Sequence, residues 1–151
     1  MSDEDFMRAA LDEARKAEAV GEVPIGAVIV QEGAVIARGF NRNLIDHDPT
    51  AHAEVVALRE CGVALGNHRM PACEMFVTIE PCAMCAGALI QARLKRLVYG
   101  AKDPKAGAVG SVVSLLNHSS LNHRMEVVSG VLQEECSQII QKFFRNKRVI
   151  G

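Results

Sequence analysis

Two short stretches carry side chains that can do chemistry together. In TAHAEVVALRE (50–60), His52 and Glu54 stand two residues apart at the start of a helix-forming run, flanked by the small Ala51 and Ala53. Residues two apart do not face each other across a helix flank, so this pair can meet only off the helix end. In EPCAMCAGAL (80–89), Pro81 places Cys82 and Cys85 in the first turn of another helix. There the i, i+3 spacing brings both sulfurs to one side, and the helix dipole favours thiolate over thiol. Zinc accepts cysteine sulfur and histidine nitrogen, and a catalytic zinc keeps three protein ligands and leaves its fourth position to water. His52, Cys82 and Cys85 supply that count. Glu54 is then unligated, close enough to take a proton from activated water and pass it to a leaving group.

Other chemistries compete for the same residues. A lone CxxC also suits a redox dithiol or half of a structural zinc site. The redox reading gives His52 and Glu54 no role. A structural zinc needs a fourth protein ligand, and His47, Cys61 or Cys73 could in principle complete a closed site.

The elements that must position these residues follow from periodicity. Phe6, Met7, Ala10, Leu11, Ala14 and Ala17 recur at helical steps, predicting a helix over 3–20 ended by Gly21. PIGAVIVQEGAVIARGFN reads as two β-branched runs around Glu32-Gly33, a hairpin. After the polar loop NRNLIDHDPT, a second helix is expected to begin near residues 48–50, capped by Asp48 or Thr50, and to run to Gly62. MFVTI (75–79) is a buried strand, Pro81 opens a helix through about Arg93, and RLVYGA (96–101) is a further strand. Residues 102–123, rich in Gly, Asn and Ser, form a long surface excursion with one helical turn expected near 112–116. MEVVSGV gives a fifth strand, and QEECSQIIQKFFRNKRV a last helix with Ile139, Ile140, Phe143 and Phe144 on or near its apolar stripe. Helices alternating with strands favour one mixed sheet covered on both faces.

Composition bounds the function. At 151 residues, 49% hydrophobic and 23% charged, the chain can bury a real core as one domain without staples. No basic leader followed by an apolar run and no stretch of about 18 apolar residues is present, so no membrane partner is expected and the cytoplasm is the default. Five cysteines, an odd set, suit reduced thiols or metal ligands better than a disulfide framework. Residues 1–22 carry seven acids against three bases, while residues 141–151 carry four bases and no acid; solvated helix faces account for both, and a partner surface is the alternative.

HxE at one helix start followed by PCxxC at the next, the second delivered by a strand, is the signature of zinc nucleobase deaminases. Beyond that signature, the sequence resembles the bacterial tRNA adenosine deaminases over nearly its whole length, through EVPIGAV, GFNR, HDPTAHAE, TIEPCAMCAGA, YGAKDPKAGAVGS, LNHRMEV and FFRNKR. The resemblance implies an α/β protein: a three-layer α/β/α, cytidine deaminase-like fold with a central five-stranded mixed sheet, formed by residues 1–151 as a single zinc-dependent nucleoside deaminase domain. It implies one zinc ion per subunit on His52, Cys82 and Cys85, no organic cofactor, and Glu54 as proton shuttle. The reaction implied is attack of activated water on C6 of the wobble adenosine of an arginine tRNA with an ACG anticodon, giving inosine.

The same resemblance suggests a surface for the tRNA anticodon stem-loop. Asn41 is expected to contact the target nucleoside, Ile25 and Ile79 to form apolar walls, and Asp103 to lie beside the ribose and phosphate. Lys105, His118, Asn122, His123, Phe144 and Arg145 are expected on the anticodon loop. Structural readings stand beside these: Asn41 ending a strand, Ile25 and Ile79 in the core, Asp103 in a turn, Phe144 buried. Aromatics make up only 4% of the chain and Trp is absent, so RNA must be held by phosphate contacts, a shaped pocket and hydrogen bonds to splayed bases rather than a stacking platform. The family implies a homodimer in which each RNA site borrows residues from the neighbouring subunit. Two alternatives remain: deamination of a free base or nucleotide such as cytosine, guanine or deoxycytidylate, and a non-catalytic zinc module that binds RNA or protein. The long 102–123 loop and the basic tail argue against a small closed pocket.

Overall fold

The structure, a computed structural model, describes residues 1–150 and the side chains of residues 1–147; Gly151 and the side chain of Arg148, part of the basic tail, lie outside the described residues. Helix α1 (Asp3–Ala19) is followed by strands β1 (Gly26–Gln31) and β2 (Ala34–Phe40), helix α2 (Ala53–Leu65), strand β3 (Cys73–Ile79), helix α3 (Ala83–Ala92), strands β4 (Arg96–Ala101) and β5 (Glu126–Ser129), and helix α4 (Gln133–Ile150). The strands form one sheet in the order β2-β1-β3-β4-β5. β1 is antiparallel to both β2 and β3, whereas β3, β4 and β5 run parallel.

Strand alternation sorts the core into two faces. Ala27 and Ile29 of β1, Met75 and Val77 of β3, and Leu97 and Tyr99 of β4 pack with Ala53, Ala57 and Cys61 of α2 and Ala86 and Leu89 of α3. The intervening Val28, Val30, Phe76 and Val98 pack with Phe6, Met7, Ala10 and Leu11 of α1 and Cys136 of α4. Helices therefore cover both faces, giving the three-layer α/β/α arrangement. Phe76, Met75 and Ile29 have no exposed surface, and each such side chain contributes about 1.5–3 kcal/mol. Gly39 fixes how closely α2 lies on β2: a Cβ there would sit 2.5 Å from the Ala53 carbonyl oxygen and 2.6 Å from the Ala57 nitrogen.

Several boundaries differ from the expectations. α2 begins at Ala53 with His52 as its N-cap, because Asp48 is used elsewhere: its Oδ1 accepts from the Thr50 N–H and hydroxyl at 2.8 and 2.7 Å, closing a local turn. The helix continues past Gly62, which tolerates the interior, and stops at Gly66 in the left-handed conformation. No helical turn forms at 112–116; the segment folds back instead through a bridge between Val109 and Ser114. β3 starts two residues earlier than expected, at Cys73, and β5 is shorter because Gly130, at φ 81°, turns the chain into α4. On α4, Phe143 is buried but Phe144 is 41% exposed, so Phe144 is off the apolar stripe. Among the described residues, no helix is long and apolar enough to cross a membrane.

Candidate active site

The N-termini of α2 and α3 meet. His52 is the N-cap of α2 and Cys82 the N-cap of α3, yet neither side chain caps its own helix. Both turn toward each other instead: His52 Nδ1 lies 3.6 Å from Cys82 Sγ and 3.5 Å from Cys85 Sγ, and all three ligand atoms fall within 4.8 Å of one another. Zn–S bonds near 2.3 Å and Zn–N bonds near 2.0–2.1 Å at a tetrahedral angle require an S···N separation of about 3.6 Å. The donor set therefore fits a tetrahedral zinc in both chemistry and spacing. Among the described residues this is the one group of three ligating side chains; Cys61 and Cys73 are buried in the core instead, and His47 sits on an exposed loop, so none of them closes the site.

Burial and mutual hydrogen bonding shift the titration of the whole group. Hydrogen bonds from the Cys85 thiol and from His52 hold Cys82 down to about 3, while Cys82 and burial push Cys85 up. The two positive helix ends favour a thiolate in the same direction. Glu54, in the first turn of α2, is 3% exposed. Burial raises its carboxyl above the ordinary carboxylate range, with its own backbone N–H and the neighbouring His52 pulling the other way. A buried carboxyl beside His52, Cys82 and Cys85 and outside that trio is placed as a proton carrier would be.

Asn41 completes this end of α2. It follows β2, its N–H donates to the Ile25 carbonyl at 3.2 Å, and its side-chain Oδ1 accepts from the Ala53 N–H at 2.8 Å. A residue twelve positions upstream thus does the capping that His52 does not. Its NH2 group has no protein acceptor among the described residues.

At the carboxyl ends of β3 and β4 opens a cleft of about 1150 Å³, whose lining does not itself include His52, Glu54, Cys82, Cys85 or Asn41. Its lining includes Ile25, Ile79, Asp103, Lys105, Phe144 and Arg145, which brings six of the expected substrate residues together. Ile25 and Ile79 are half-buried walls rather than core. Asp103 does hold a turn, its Oδ1 accepting from the Lys105 and Ala106 N–H groups at 3.0 and 3.1 Å. His118, Asn122 and His123 are not in the lining of this chain's cleft. His123 Nε2 lies 2.6 Å from the Leu94 carbonyl oxygen, past the carboxyl end of α3 and at the opposite end of the parallel strands; His118 Nδ1 accepts from the Ser120 N–H, and Asn122 is exposed.

Sequence reasoning passed over Glu80. It is 2% exposed and accepts from the N–H groups of Asp103, Val109 and Ser111 and from the Ser111 hydroxyl. Burial works to raise its carboxyl, but those four hydrogen bonds outweigh it and hold the group below the usual range. The available signal was an acid set directly before PCxxC, where no zinc ligand is needed.

The chain is similar to known deaminases in sequence and in overall fold. The MafB19-like deaminase family model matches residues 1–148. The tRNA-specific adenosine deaminase of Haemophilus influenzae is 49% identical over 147 residues, spanning 97% of this chain and 85% of that protein. The tRNA-specific adenosine deaminase of Bacillus subtilis is 47% identical over 146 residues, with 97% and 91% covered. A structure solved in a study of A-to-I editing by tRNA:A34 deaminases at the wobble position superposes with a TM-score of 0.86 at 48% identity, covering 89% of this chain and 98% of the other. The guanine deaminase of Nitrosomonas europaea superposes with a TM-score of 0.81 at 28% identity, covering 93% and 83%.

Proposed function

This chain belongs to the tRNA-specific adenosine deaminase family, and from that premise we propose that it hydrolyses the wobble adenosine of a tRNA, an arginine tRNA with an ACG anticodon, to inosine. The observation that carries the proposal is the placing of His52, Cys82 and Cys85 at 3.5–3.6 Å across two helix N-termini, with Glu54 buried beside them and outside the ligand set. One zinc ion per subunit is the metal this donor set suits, and residues 1–151 act as one deaminase domain with no organic cofactor.

Bound there, zinc supplies the Lewis acidity that brings the pKa of water toward neutrality. Glu54 accepts a proton from the attacking water and delivers it to the adenine ring nitrogen, then takes the remaining proton from the new C6 hydroxyl and passes it to the departing amine, so that C6=O forms as ammonia leaves. A C6–O bond forms, the C6–N bond breaks, and adenosine and water become inosine and ammonia. The Asn41 NH2 donates to the target nucleoside while its Oδ1 stays on Ala53. Ile25 and Ile79 bracket the flipped base, and the Asp103 oxygen not used in its turn faces the ribose.

The cleft favours RNA over a free base. Lys102, Lys105, Arg145 and Lys147 line it together with Phe144, an array suited to phosphates and one splayed base. The higher identity to tRNA deaminases than to the guanine deaminase points the same way. We assign His118, Asn122 and His123 to the anticodon loop bound by the neighbouring subunit of a homodimer, which accounts for their distance from this chain's own cleft. The cytoplasm, where tRNA is modified, is the proposed location, with no membrane partner.

Deamination of an anticodon stem-loop carrying the wobble adenosine, assayed beside free nucleosides and guanine, tests the substrate. Turnover of the free compounds alone would overturn the RNA reading. Glu54→Gln should lower turnover by about 10²–10⁴-fold with zinc content unchanged; unaltered RNA binding and no wild-type turnover at all would favour a non-catalytic zinc module.

A further inference from the structure

Glu80 has no part in the chemistry above, yet it is among the most completely enclosed charged groups in the chain. It stands between Ile79, a wall of the cleft, and the Pro81-Cys82 turn that carries a metal ligand. Its Oε1 accepts from the Asp103 N–H at 3.1 Å and from the Ser111 hydroxyl; its Oε2 accepts from the Val109 and Ser111 N–H groups at 2.9 and 3.1 Å. The surrounding backbone adds two bonds in the same direction. The Glu80 N–H donates to the Ala101 carbonyl at 2.8 Å, and the Ala108 N–H donates to the Pro81 carbonyl at 2.9 Å. Gly107 makes room for the carboxylate, since a Cβ there would lie 2.4–2.5 Å from its three terminal atoms.

One buried carboxylate therefore holds both ends of the 103–111 loop. An isolated buried charge is costly, and four donors converging on it specify one loop conformation rather than a family of them. The loop in turn carries Asp103, locked by its own turn, and Lys105, both at the cleft. A neutral amide could not substitute: glutamine offers one acceptor oxygen and would point N–H groups at N–H groups.

We propose that Glu80 is a positioning residue: through the 103–111 loop it sets Asp103 and Lys105 against the ribose and phosphate of the bound nucleotide, and so controls substrate affinity without entering the reaction. This rests on the reading of the cleft as the RNA site. The test uses the zinc-loaded full chain with Glu80→Gln and, as a milder change at an exposed position, Ser111→Ala. For the stem-loop substrate, Glu80→Gln should raise KM about tenfold or more while kcat stays within about threefold, and Ser111→Ala should raise KM about two- to fivefold. Zinc content should be unchanged, and amide exchange at Asp103, Val109 and Ser111 should accelerate in both variants. An unchanged KM, a fall in kcat at constant KM, or unaltered exchange at those three amides would overturn the proposal. Should Glu80→Gln fail to fold, Ser111→Ala decides alone by the same readouts. Failure of the RNA reading is distinguishable, because the wild type would then be inert on the stem-loop; KM is in that case read on the free nucleoside the enzyme accepts, alongside the exchange measurement.

Discussion

Replacing Asn41 separates a structural duty from a substrate duty within one side chain. Its Oδ1 accepts from the Ala53 N–H at 2.8 Å, and Ala53 has no exposed surface, so water cannot take over in Asn41→Ala. Loss of an N-cap costs about 0.5–2 kcal/mol, and a buried N–H left without an acceptor places this site in the upper half, about 1.5–2 kcal/mol. For a chain of this length that corresponds to a melting temperature lower by about 3–8 °C. Since His52 and Glu54 sit in the turn that frays, zinc affinity should fall as well. Asn41→Asp keeps the acceptor and adds a negative charge that the helix N-terminus favours, by about 0.3–1 kcal/mol against the cost of burial. Its melting temperature should stay within about 2 °C of wild type, yet it loses the NH2 donor, and deamination should fall about 10²-fold or more. Thermal melts followed by circular dichroism, metal analysis and stem-loop turnover read the three effects separately. Wild-type melting of Asn41→Ala would refute the capping argument, and wild-type turnover of Asn41→Asp would refute the donor role.

Other expectations concern the metal, the RNA and the frame. Cys82→Ala and His52→Ala should each abolish stoichiometric zinc by metal analysis, since two ligands cannot make the tetrahedral set; retention of one zinc per chain would contradict the assignment. Arg145→Ala should weaken stem-loop binding more at low than at high salt and reduce the log–log salt slope by about one; a salt-independent loss would point to packing. Arg96 holds Asp3 through two hydrogen bonds at 2.9 and 2.6 Å and depresses its carboxyl. A carboxyl lowered in the folded state contributes stability above its unfolded value, near 3.9, and loses it as pH falls through the folded value. Asp3→Asn should therefore cost roughly 0.5–1 kcal/mol near pH 7 after allowance for solvent screening, the gap to wild type closing below about pH 4 in denaturant titrations.

Much of this protein is legible in the chain because short-range physics dictates it. Period-2 and period-3.6 patterns located the strands and helices, since a half-buried strand or helix must repeat its apolar residues at its own pitch. Cys82 and Cys85 were readable as a pair for the same local reason: one helical turn brings their sulfurs to one side. Their donor chemistry, with His52 and an acid two residues beyond it, offered a metal site with a proton carrier as one reading beside a redox dithiol and a structural zinc. What the sequence could not determine depends on contacts between residues far apart in the chain. His52 and the cysteines, thirty or more positions apart, meet because β3 delivers α3 beside α2. The cap of α2 comes from Asn41, just past the end of β2, which is why Asp48 and Thr50 misled the boundary. Phe143 and Phe144 differ only in which side of α4 faces the sheet. Glu80 is marked in the sequence only as an acid directly before PCxxC, because a carboxylate reveals its purpose only when the fold wraps four donors around it. Local pattern thus determined the parts and their chemistry, while long-range packing decided which parts share a site.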